Sequence, residues 1–237
     1  ILYVGSNDIV LEMLLSSFAK KYKVNVEYSW IGSCGGLMSL MLGEGDFAGV
    51  HLMDESGEYN IPFLRRYWLD DKVYVIRGYM REICLIFHPE FNISGLEDAI
   101  DQKLKMVNRN RGSGTRVLID HILDNIARRK KMNVKELRKK INGYDFEVNT
   151  HEEVPRAIIS GKADYGFALC NLAKIYGLST KHIKWEYFDL VVPVDKMKKT
   201  LVKDFLEYFR SNVRSIVDKI KGYKITPNTG EIIYAPE

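Results

Sequence analysis

The chain has 237 residues, 46% hydrophobic and 28% charged, a globular balance that excludes a disordered or fibrous polymer. Lys and Arg outnumber Asp and Glu by 35 to 31, a net charge of +4, and the sequence pI is about 8.8. That mild excess suits an anionic ligand but falls short of the dense basic stripe of a nucleic-acid binder, so no direct nucleic-acid contact is expected.

Residues 2–5 read as a short strand ending at Gly5, and Ser6-Asn7-Asp8 supplies capping residues for an amphipathic helix over 9–21. Residues 24–31 are strand-like. Gly32-Ser33-Cys34-Gly35-Gly36 reads as a flexible turn before a helix over 37–42, and residues 47–53 are a third strand. Strand and helix in alternation predict a parallel sheet covered by helices. Further strands are expected over 72–76, 82–87, 104–108, 145–148, 164–169 and 185–194. Helices are expected over 95–100, 116–129, 152–160, 171–176 and 201–220, with Thr150 as a cap. The tail after Gly222 reads as turns with one short strand. The Lys- and Arg-rich stretch 128–140 reads as a solvated helix face.

Cys34, Cys84 and Cys170 are odd in number, widely spaced and set in apolar runs. They are expected to be buried free thiols in a reducing, cytoplasmic compartment rather than a disulfide framework or zinc site. No stretch is long and apolar enough for a membrane span, and no signal peptide is evident, so no membrane partner is expected. The chain begins at Ile1 rather than Met, from which upstream sequence, a leader or another domain, is inferred.

In open α/β sheets ligands sit beyond the carboxyl ends of strands, where loops feed helix N-termini. Four loops here are small, polar and rich in N–H donors: Ser6-Asn7-Asp8, Ser33 to Gly36 with Gly35, Arg111 to Arg116, and Asn149-Thr150-His151. Any one alone is most simply a helix cap. Together they point to an oxyanion held by backbone amides and hydroxyls. Arg111-Gly112-Ser113-Gly114-Thr115-Arg116 is the sharpest: its glycines admit a ligand to the backbone, and its arginines suit bidentate contact with phosphate, carboxylate or a metal oxyanion. It lacks the GK[ST] ending of a P-loop. The loop HLMDESGEYN adds His51, Asp54, Tyr59 and Asn60. His51 and Asp54 lack a third metal ligand at convincing spacing, and no GxSxG elbow supports a Ser-His-Asp triad, so no catalytic or metal residue is assigned. Tyr165 faces either a cleft or the core.

The segments HLMDESGEYN (51–60), NRNRGSGTRVLIDHIL (108–123), THEEVPRAIISGKADYGFAL (150–169) and EYFDLVVP (186–193) resemble the periplasmic-binding-protein-like domain of MoeA-type molybdopterin biosynthesis proteins, which also follows a helix-turn-helix segment in molybdate-type regulators. The resemblance implies an α/β, two-lobed type II binding-protein fold, each lobe a mostly parallel sheet flanked by helices. Lobe one would be residues 1–78 with 191–237, lobe two residues 79–190, and the ligand cleft would lie between them. It also implies a module that binds or senses a small anion, with molybdate, tungstate or a molybdopterin precursor as candidate ligands, no covalently bound cofactor, and a fused MoeA-type or helix-turn-helix domain upstream. Ser6, Ser33 and Ser113 match the hydroxyl positions of related oxyanion binders, with Tyr165 a lid-side donor. Where relatives read REQGL this chain reads Arg81-Glu82-Ile83-Cys84-Leu85, so a hinge glycine is missing and Arg81 joins the ligand candidates. Two alternatives stand beside this reading: a domain assisting metal insertion into molybdopterin, and the solute receptor of an anion transporter.

Overall fold

The computed structural model describes residues 1–236. The chain divides into two compact units, the first comprising residues 1–81, 112–114 and 186–237, the second residues 82–111 and 115–185. No helix among the described residues is long and apolar enough to cross a membrane.

In the first unit the strands are β1 (Leu2–Gly5), β2 (Glu27–Trp30), β3 (Phe47–Val50), the first part of β4 (Val73–Phe87), the second part of β8 (Ser179–Pro193), β9 (Tyr223–Lys224) and β10 (Ile232–Tyr234). Their order is β2-β1-β3-β8-β4, with β9 and β10 also pairing with β4. β1 runs parallel to β2 and β3, whereas β3 and β8 are antiparallel, so this sheet is mixed rather than mostly parallel. The fully buried run Phe47–Val50 explains why β3 sits inside the sheet. Helix α1 (Ile9–Tyr22) and helix α9 (Thr200–Val217) share one apolar layer, in which Phe18 meets Phe205 edge-on at 5.4 Å and Phe205 stacks on Phe47 at 4.9 Å. A short helix, α3 (Ile61–Leu64), follows β3.

Helix α2 (Gly32–Met41) begins where the sequence predicts a flexible turn. Glycine in a helix costs about 1 kcal/mol relative to alanine, so propensity argues against this start. Packing overrides it: a Cβ on Gly36 would lie 2.8 Å from the Gly5 Cα and 3.2 Å from the Ala48 Cβ. Only glycine lets α2 press this closely onto β1 and β3. Gly36→Val is expected to lower stability by about 1–3 kcal/mol, the scale of overpacking. A shifted urea midpoint measures it, and an unchanged midpoint would refute the close packing.

The strands expected over 72–76 and 82–87 are one continuous strand, β4. Arg77-Gly78 looks like a break, but the Gly78 N–H donates to Asp189 Oδ1 at 3.1 Å and Arg77 pairs with the same carboxylate at 3.1 Å. A Cβ at Gly78 would strike the Phe188 carbonyl, so glycine permits the close neighbour strand.

The second unit holds the rest of β4 and β8 together with α4 (Leu96–Asp101), β5 (Met106–Arg109), α5 (Gly114–Arg129), α6 (Val134–Lys140), β6 (Glu147–Val148), α7 (Glu153–Ile159), β7 (Tyr165–Leu169) and α8 (Cys170–Ile175). Its order is β4-β7-β5-β6, antiparallel between β4 and β7 and parallel elsewhere. Cys84, Ile86, Val107, Val154 and Ala168 lie in its small core. The expectation of three free thiols is overturned: Cys84 and Cys170 form a disulfide, and Cys34 alone is free. They are 86 residues apart, and the β4–β7 register brings them together, with Ile83 opposite Leu169 and Cys84 opposite Ala168.

Candidate functional site

The first unit gathers its polar residues at the carboxyl ends of β1 and β3. The Ser6 and Ser33 hydroxyls are 2.7 Å apart and both residues are buried. Ser33 Oγ also accepts the His51 N–H at 3.1 Å, which leaves its own proton to donate. Ile31, the cap residue of α2, makes no side-chain hydrogen bond to the helix. The positive end of a ten-residue helix therefore lacks a side-chain cap and lies beside two hydroxyls. Residues 112–114 close against the same turn, where the Cys34 N–H donates to the Gly112 carbonyl at 3.1 Å. Ser113, in this turn, is buried. A Cβ on Gly114 would run into the His51 ring and carbonyl, so the glycine lets this turn approach His51.

The start of α1 is different. Asp8 caps it, its Oδ1 accepting the amides of Val10 at 2.9 Å and Leu11 at 3.2 Å. With a carboxylate already seated there, α1 offers no anion site, and Asn7 contributes only its carbonyl, 3.4 Å from Arg81 Nη1. Asp8 instead anchors a buried network. It accepts from Tyr79 Oη at 2.5 Å, Tyr223 Oη at 2.9 Å and Arg81 Nη1 at 2.9 Å. Arg81, fully buried, donates through Nε to Glu186 at 2.6 Å, and Glu186 lies 3.1 Å from His51 Nδ1. Hydrogen bonds and ion pairs thus link Ser6, Ser33, His51, Glu186, Arg81 and Asp8 in series. Arg81 and a protonated His51 would balance Asp8 and Glu186, leaving no spare charge. An anion bound here would depend on hydroxyls and helix amides.

Burial pushes the Glu186 carboxyl up, but the adjacent His51 and Arg81 charges and their hydrogen bonds outweigh it and hold the group below the usual carboxylate range. Its contribution to stability is present above the unfolded carboxylate pKa and is lost as pH falls through the lower folded value. The melting-temperature gap between wild type and Glu186→Gln is therefore expected to be widest near neutrality and to close on acidification. A gap that widened in acid would contradict the pairing. Asp189 goes the other way: burial raises its carboxyl despite Arg77, the Asn60 amide and the Gly78 N–H.

Several other residues picked from sequence are engaged in local structure. The Asp54 carboxylate accepts the amides of Ser56 and Glu58 in its own turn. Tyr59 is half-buried and meets the Tyr187 ring edge-on at 5.6 Å. Gly35 lies within α2, its Cα towards the Ile31 side chain. In the second unit Arg116 donates to Glu147 at 2.7 Å and to the Arg109 carbonyl at 2.9 Å, and covers the Tyr144 ring. Arg111 is 80% exposed at its side chain. Thr150 and Glu153 bond reciprocally, the hydroxyl to the Glu153 N–H at 3.3 Å and the carboxylate to the Thr150 N–H at 2.7 Å, a capping box. His151 is buried. Thr115 Oγ1 and Tyr165 Oη, both in the second unit, are buried without a hydrogen-bond partner.

Sequence reasoning placed Asp8 in a cap and Asn60 in a polar loop, but did not read the buried network that joins Asp8 to Glu186 through Arg81 or the bond from Asn60 to Asp189. Asn60 links the residues after β3 to the interior of β8, accepting the Leu52 N–H at 2.7 Å and donating to Asp189 at 2.7 Å. The available signal was an acidic residue on each side of the aromatic pair Tyr187-Phe188 ahead of an apolar strand, the sequence Glu186 to Asp189.

A mixed sheet with flanking helices, and donors collected where strands hand over to helices, defines a periplasmic-binding-protein-like α/β module. The model of the PBP superfamily domain matches residues 15–210, and the chain belongs to that superfamily. The uncharacterized protein YvgK of Bacillus subtilis (strain 168) is 26% identical over 235 residues, covering 97% of this chain and 72% of that protein. Among solved structures, a candidate phosphate ABC transporter substrate-binding protein from Clostridium perfringens, with bound phosphate, aligns with a TM-score of 0.67 at 15% identity, covering 95% of this chain and 99% of that one. PEB3 with bound L-phospholactate aligns with a TM-score of 0.61 at 17% identity, covering 95% of this chain and 99% of that one. At these identities the likeness is one of fold.

Proposed function

We propose that this chain binds a small oxyanion, phosphate or a phosphorylated metabolite, at the Ser6–Ser33 hydroxyl pair against the start of α2. The observation that carries the reading is that pair, 2.7 Å apart at a helix end with no side-chain cap. Neutral donors at a helix N-terminus stabilise an anion without a full counter-charge. The phosphate and phospholactate held by the two structural neighbours support the ligand class. Molybdate and tungstate, tetrahedral dianions, suit the same donors and form the second arm of the test; a link to molybdenum cofactor biosynthesis belongs to this proposal.

The chain serves either as the receptor of an anion transporter or as a sensing module whose ligand acts on a fused domain. The Cys84–Cys170 disulfide supports the receptor, because structural disulfides persist in oxidising compartments. Isothermal titration of the full chain with phosphate, L-phospholactate, molybdate, tungstate and sulfate tests the ligand. Saturable binding of one of the first four, with a raised melting temperature, is expected. No heat and no melting shift with any of them would refute the oxyanion reading.

A further inference from the structure

Away from that site, one cluster in the second unit brings metal-ligating chemistry together. Glu82 and Cys84 are two residues apart on β4 and so share a face of the strand. The β4–β7 register puts Ile83 opposite Leu169, so the next residue, Cys170 at the head of α8, arrives alongside Glu82. The Glu82 carboxylate and the two sulfurs all lie within 4.8 Å of one another. His182 completes the group, its Nδ1 2.7 Å from Glu82 Oε1. Cys84 is 2% exposed and rests on the apolar core, whereas the Glu82 and His182 side chains are 25% and 50% exposed, a way in from solvent.

We infer that Glu82, Cys84 and Cys170 form a redox-gated site for one thiophilic divalent cation such as zinc, with His182 positioning the Glu82 carboxylate. In the disulfide form the sulfurs are bonded to each other and the site is shut. A thiol or phosphine reductant supplies two electrons, the sulfur–sulfur bond breaks, and two protons convert the sulfurs to thiols. The cation then displaces both thiol protons and takes two thiolates and the carboxylate, with water at the fourth position. Tetrahedral zinc with bonds of about 2.3 Å sets the sulfurs roughly 3.8 Å apart, a modest opening of the bonded pair. The Cα atoms, 5.1 Å apart, already place both side chains to converge on one ion. Partners that orient a ligand, as His182 does here, are worth about ten- to a hundredfold in metal affinity.

The test uses the full chain, reduced with a phosphine, desalted under argon and titrated with Co²⁺ and then Zn²⁺. Thiol titration should find three thiols in the reduced chain and one, Cys34, in the oxidised chain. The reduced chain is expected to take one equivalent of cobalt with a thiolate-to-cobalt charge-transfer band, which zinc removes. Oxidised wild type and Cys84→Ser/Cys170→Ser should show no band, and His182→Ala should bind about tenfold or more weakly. A reduced chain with three titratable thiols and no band would overturn the inference. So would an equal band in the oxidised chain or in the serine variant, which retains Cys34. Should the serine variant fail to fold, oxidised wild type serves as the control.

Discussion

Arg81→Met is expected to cost about 3–5 kcal/mol of folding stability, the scale for removing one partner from a buried ion pair. Arg81 is fully buried and is gripped from two sides, by Glu186 at 2.6 Å and Asp8 at 2.9 Å, while its guanidinium lies 4.8 Å over the Phe188 ring. Methionine fills much of the volume, so the loss reports charge rather than a cavity. Two carboxylates would remain buried without their shared cation. Asp8 would keep its helix amides and the two tyrosine hydroxyls, and Glu186 would keep His51, so the penalty falls mainly on Glu186. Arg81→Met/Glu186→Gln should therefore recover part of the loss. Urea unfolding measures both, and a single-variant loss under about 1 kcal/mol would mean that the network is solvated rather than buried.

The second large effect concerns binding. Ser33→Ala is expected to weaken oxyanion affinity by about 1.5–3 kcal/mol, roughly ten- to a hundredfold, the worth of a hydrogen bond to a charged group. Ser6→Ala should act similarly. Because the two hydroxyls bond each other, the double variant should lose less than the sum of the single losses. Ser33→Ala also strips the His51 N–H of its acceptor, so its melting temperature must be recorded beside its affinity. Asp54→Ala, which alters only a local turn, should bind as wild type. Equal loss in Asp54→Ala, or none in the serine variants, would move the ligand elsewhere.

Much of the scaffold was legible along the chain. Apolar runs such as Phe47–Val50 and Tyr165–Leu169 mark strands whose residues are buried throughout. Long-range pairing was not legible. Glycine propensity hid the start of α2, because the reason for Gly36 is Gly5 and Ala48, distant in sequence. The cysteines looked solitary because their meeting depends on a strand register. Arg116 looked like a ligand arm because Glu147, its partner, lies 31 residues on. Arg81 was noticed as a departure from a motif, yet its partners lie 73 and 105 residues away, so its place in a buried charge network could not be read locally. Ser6 and Ser33, 27 residues apart, were expected near one another because both follow strand ends, a position with a physical reason to hold donors, and their hydroxyls lie 2.7 Å apart.

The most direct test follows the backbone amides of an isotopically labelled chain by NMR as phosphate is added. Saturable shifts largest at Gly32, Ser33 and Ser6, lost in Ser6→Ala/Ser33→Ala, are expected. Saturable shifts that bypass these residues would show the anion held somewhere other than the start of α2.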